Sequence, residues 1–146
     1  MCIRDSPLFE LAPERMPEVR ESYAWYVRCP DPAGFLRRVA PVLERRLRDS
    51  TLARHSGILA LNLYRSGIRL VFEGGQLAAV EAWMPDTEHV GDVAVPELVF
   101  LQLLFGFRNF AELERGLPDA ICWRDAVRPL LAALFPRRPS WLWCTA

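Results

Sequence analysis

No run of apolar residues in this sequence is long enough to cross a bilayer. A membrane helix takes about 18 or more, and the longest apolar stretch, Val93 to Phe107, is interrupted by Pro96, Glu97 and Gln102. A secretory leader is lacking too, because Met1 to Arg20 does not supply a basic start, an apolar stretch and a small-residue cleavage site in that order. The cytoplasm is therefore the expected compartment, without a membrane as partner. Net charge is also missing: 18 basic residues balance 18 acidic ones. With no field to gather phosphate backbones, nucleic acid is not an expected partner. The arginines do cluster, at Arg37, Arg38, Arg45, Arg46 and Arg48 and again at Arg137 and Arg138, which reads as a solvated helix face and a polar turn.

The groups that carry chemistry are equally sparse. Four cysteines, Cys2, Cys29, Cys122 and Cys144, show no C-x-x-C spacing, which argues against zinc and against a redox pair and leaves reduced, partly buried thiols. His55 and His89 have no Cys or His at ligand spacing and are expected as surface loop residues. The Gly74-Gly75 pair precedes a strand rather than a helix, so it reads as a hairpin turn and not as a phosphate cradle. Glu73 and Glu81 fall on neighbouring predicted strands, as an acid–base pair or as two glutamates on a solvent face.

What is present is a globular composition, 51% hydrophobic and 25% charged. At 146 residues, one domain burying roughly 70% of its unfolded surface is the default. Met1 to Ser6, MCIRDS, has the form of a translated sequencing adapter and is set aside. Residues 7–21, with Pro7, Pro13 and Pro17, read as a linker. The domain is expected over 22–146, opening with a strand from Ser22 to Arg28.

Asp31-Pro32 then signals a helix start. Phe35, Leu36, Val39, Ala40, Leu43 and Leu47 repeat at helical spacing, with Pro41 placing a kink. Three apolar runs follow, Gly57 to Tyr64, Ile68 to Glu73 and Gln76 to Trp83, parted by Ser66-Gly67 and Gly74-Gly75 where positive φ is needed. Alternating Leu59, Leu61 and Leu63, then Ile68, Leu70 and Phe72, predict an antiparallel β-meander with one buried face. Met84 to Val95 reads as an exposed loop. Pro96 to Phe105 is apolar all round and predicts a buried helix, Asn109 caps a short second one, and Asp125 can cap a last helix over Ala126 to Phe135. In the tail, Trp141 and Trp143 stand two apart, so an extended chain points both rings to one side. They can pack as core or wall an apolar or cationic ligand. The fold class is α+β, an antiparallel sheet covered by helices.

Taken in order, the W-x-V-R strand at Trp25 to Arg28, the helix DPAGFLRRVAPVLERRL, the meander GILALNLYRSGIRLVFEGGQLAAVEAW, the helix PELVFLQLLFG and the closing LFPRRPSWLW form a recognisable series. With them, the chain resembles the C-terminal sterol-carrier-protein-like domain of bacterial GNAT-superfamily N-acetyltransferases, the group that includes the enhanced-intracellular-survival aminoglycoside acetyltransferases. That resemblance implies a cytoplasmic, oligomeric acyltransferase whose acetyl-CoA site lies in an N-terminal catalytic domain absent from this sequence. It implies a fragment inactive alone, whose partners are that acetyltransferase domain and further copies of the chain. This part would wall the acceptor pocket, with Trp141 and Trp143 near the substrate and the carboxylate of Ala146 reaching the active site as a base. A sterol-carrier-like module holding a lipid or other apolar ligand between the sheet and the Pro96 to Phe105 helix is the alternative.

Overall fold

The computed structural model describes residues 27–139, and the structural statements below concern these alone. The adapter-like hexapeptide, the linker 7–21, most of the first predicted strand, and Trp141, Trp143 and Ala146 lie outside the described residues.

Helix α1 runs from Pro32 to Arg38, and the Gly34 amide donates to the Asp31 carboxylate at 2.8 Å in front of it. The expected kinked helix is two helices: α2, Ala40–Arg48, starts afresh after Val39 with Pro41 in its first turn. A proline there removes only an N–H that has no partner anyway, whereas inside a continuous helix it would break a bond. Ala33, Leu36, Leu43 and Leu47 are buried and most of the arginines face outward.

Strands β1 (Gly57–Asn62), β2 (Gly67–Glu73) and β3 (Gln76–Trp83) form the antiparallel meander. Its register stacks Leu59, Leu70 and Val80 in one row and Leu61 and Ile68 in the next, all buried. Two-residue periodicity is why these side chains share a face. Gly74 and Gly75 turn β2 into β3 with φ of 58° and 88°. The first turn corrects the sequence reading. Gly67 sits inside β2, where a side chain would strike the Trp83 indole, and the positive φ, 69°, belongs to Tyr64.

The sheet is mixed rather than purely antiparallel. Residues 92–95, expected in an exposed loop, are buried, and Val93–Ala94 form β4 parallel to β1. A fifth strand, Ile121–Cys122 (β5), pairs antiparallel with β4, giving the order β3-β2-β1-β4-β5. Two buried polar side chains hold the parallel junction. Asp92 accepts from the Ala60 amide at 2.7 Å and pairs with Arg124 at 3.0 Å. Asn62 donates to the Val90 carbonyl at 2.9 Å and accepts from the Tyr64 amide at 2.7 Å. Each thus has the partners that burial demands.

Helix α3, Glu97–Leu104, buries Phe100, Leu101, Leu103 and Leu104. Asn109 and Glu112 form a capping box on α4, Phe110–Gly116. The Asp125 carboxylate accepts from Arg128 at 2.8 Å rather than capping; residues Asp125–Val127 make a 3-10 turn and α5 spans Arg128–Leu134. The Phe100 and Phe135 rings meet edge to face, 6.0 Å between centroids.

Strand β3 is an edge of the sheet, and two helix side chains close it. Arg37 donates to the Val80 carbonyl at 2.9 and 3.1 Å, and the Leu77 amide donates to Glu44 at 3.0 Å. An edge with open donors and acceptors is a template for another chain. Arg37→Ala combined with Glu44→Ala is expected to lower stability by about 1–3 kcal/mol and to raise concentration-dependent association. Light scattering beside thermal melts checks this, and unchanged association would remove the edge-closing role.

Candidate binding groove

Sequence reasoning singled out residues that the structure keeps apart. Glu81 lies opposite Arg69 and Glu73 opposite Gln76, at different levels of the β2–β3 ladder, and both are exposed. His55 is half-buried, its ring centroid 5.9 Å from that of Phe72 and its Nε2 enclosed without a partner among the described residues, while His89 is exposed beside Asp86 at 3.2 Å. Among the described residues, no three His, Cys, Asp or Glu side chains gather as metal ligands. Cys29 and Cys122 are free thiols, and burial pushes the Cys122 thiol above its ordinary range, away from the reactive thiolate.

Three elements do converge, around an open groove of about 800 Å³. One side is the chain entering the fold, Arg28, Cys29 and Pro30. The β1–β2 turn supplies Leu63, Tyr64 and Arg65, and α3 with its preceding residue supplies Pro96, Glu97, Leu98 and Leu101. Asp119, beyond α4, completes the rim.

Tyr64 shapes this turn. A left-handed backbone costs a residue with a Cβ roughly 1–2 kcal/mol, and Asn62 offsets the cost by accepting from the Tyr64 amide. The phenol reaches across and donates to the Asp119 carbonyl at 2.8 Å. Burial, then the charge of Asp119, pushes this phenol above its ordinary range, which keeps it protonated as a donor. Leu98 is the counterpart on the helix. It is 59% exposed on a helix whose Phe100, Leu101, Leu103 and Leu104 are all buried. The groove therefore has an apolar floor in Leu63, Leu98 and Leu101 and a rim with charges of both signs, Arg28 and Arg65 with Glu97 and Asp119. Such a lining suits a molecule with an apolar body and a few polar groups. Among the described residues, no histidine lines it beside Cys29.

None of Tyr64, Leu98 and Asp119 was singled out from sequence. A faint signal existed in PELVFLQLLF, whose apolar residues run round the whole helix, so that one of them faces away from the core. No helix among the described residues is long and apolar enough to cross a membrane.

Comparison with protein-family models finds no match, and comparison with curated proteins finds none either. Among solved structures the chain is similar to a crystal structure of sterol carrier protein 2, with 18% identity and a TM-score of 0.43 over 68% of this chain and 95% of that one.

Proposed function

We propose that this chain is a non-catalytic binding domain of a GNAT-type N-acetyltransferase, and that the Tyr64–Leu98 groove forms part of the wall of its acceptor pocket. The observation that carries this reading is the groove itself: apolar side chains, a protonated phenol and carboxylates together, with no nucleophile–base pair among the described residues. An amine-bearing acceptor offers groups for both kinds of surface. The glycine pair 74–75 is a hairpin turn and does not open a helix. The donor site is assigned to a separate catalytic domain of the full-length protein, and subunit contacts to further copies of it.

A lipid carrier reading has less support. Phe100 and Leu103 of α3 are each fully buried, and the Phe100 ring packs on Phe135. An apolar ligand would have to lie in the outer groove instead.

Two observations test the proposal. The gene upstream of Pro7 is expected to encode an acetyltransferase domain in frame; a genuine start codon near Ser22 would sink the reading. In the full-length enzyme, Leu98→Glu is expected to raise the acceptor KM roughly tenfold or more, the range one lost apolar contact gives. The acetyl-CoA KM should hold. An unchanged acceptor KM, with a fluorescent fatty acid quenched by the purified chain, would favour the carrier.

A further inference from the structure

We propose that the seam between α2 and the segment following α5 is a second binding site, one that takes a phosphate monoester. Arg45 and Arg46 come from the last turn of α2, and Arg138 from beyond α5. With Asp49, Val42 and Ala133 they line a cleft of about 340 Å³, separate from the groove described above.

Among the described residues, three arginines outside the cleft are matched with carboxylates. Arg128 binds Glu114 and Asp125, Arg124 binds Asp92, and Arg137 binds Glu112. Neither Arg45 nor Arg46 has such a partner among the described residues, and a single carboxylate, Asp49, lines the cleft with three guanidinium groups. Arg46 is held in place: one of its terminal nitrogens donates to the Leu134 carbonyl at 2.6 Å, while its Nε is enclosed without a partner. Partial burial, then the charges of Arg138 and Arg45, pull its proton affinity below the ordinary value. An arriving anion would relieve that repulsion, so the cleft is preorganised for one.

The donors fit phosphate. All eighteen basic residues of the chain are arginines, whose planar forks bind phosphate oxygens two at a time. A phosphate monoester brings three acceptor oxygens and a charge of about −1.5 to −2 at neutral pH. On the far side, Arg138 borders a shallow hollow of about 470 Å³ with Arg137 and Phe107, and the Phe107 ring is largely exposed. An organic group carried by the phosphate would find an aromatic face there.

Calorimetric titration of the purified chain with inorganic phosphate and with phenyl phosphate tests the site. Saturable binding, weakened by added salt, is expected. Arg45→Gln should weaken it roughly tenfold or more, the worth of one charge-assisted hydrogen bond. Arg46→Gln should do the same, but it also removes the bond to Leu134, so the exposed Arg45 carries the decision. Arg54→Gln, an exposed arginine outside the cleft, should change nothing. Tighter binding of phenyl phosphate assigns an organic phosphate; equal binding assigns the free anion. The absence of saturable binding by either, or an Arg45→Gln variant that binds like the parent, overturns the proposal.

Discussion

Gly75→Ala is expected to destabilise the protein by about 3 kcal/mol or more, while Gly74→Ala, one residue earlier, should cost about 1 kcal/mol. Both glycines have positive φ, 58° at Gly74 and 88° at Gly75, so both substitutions carry backbone strain. What separates them is space. A Cβ at Gly74 meets nothing, whereas one at Gly75 runs into the Ala53 carbonyl oxygen. That obstacle is backbone and cannot rotate away. The same chain segment is tied to the turn, since the Gly75 amide donates to the His55 carbonyl at 2.8 Å, so relief of the clash would break this bond. Paired denaturant melts of the two variants read the difference, and equal losses would mean that the turn yields.

Phe100→Ala is the second substitution with a large effect, about 3–5 kcal/mol. Phe100 is fully buried on α3, and its ring meets Phe135 beyond α5, so truncation leaves a void between elements that cannot easily close on it. For a domain of this size the melting temperature should fall by on the order of 15 °C. Phe100→Leu, which keeps most of the volume, should cost about 1 kcal/mol. A fall as small as that in the alanine variant would place Phe100 outside the core.

Features fixed by neighbours in sequence were legible before the structure. Asp31 followed by Pro32, Asn109 as a helix cap, and the glycine pair 74–75 act on atoms within a turn of themselves, and each does what its chemistry dictates. The alternation from Leu59 to Phe72 gave the buried face for the same reason. What was not legible depends on residues far apart. Val93 and Ala94 show no periodicity, and they form a strand because β1 offers its free edge. Gly67 looked like a turn glycine, yet its missing side chain makes room for Trp83, sixteen residues on. The turn itself passed to Tyr64 because the Asn62 side chain supports its strained backbone. The groove was hidden for a similar reason, since Tyr64, Leu98 and Asp119 come from three separate elements. Trp141, Trp143 and Ala146 lie outside the described residues.

The parallel neighbour of β1 has a consequence for the order in which the molecule assembles. Hairpins such as β1–β2 and β2–β3 zip up from their own turns within microseconds. The pairing of Leu61 with Val93 must instead wait for the intervening chain to be gathered, because its entropic cost falls due before any contact rewards it. That junction is therefore expected to form after the two hairpins. Asn62, clamped to Val90 across it, also holds the Tyr64 turn, so this rim of the groove is completed only when that pairing is made.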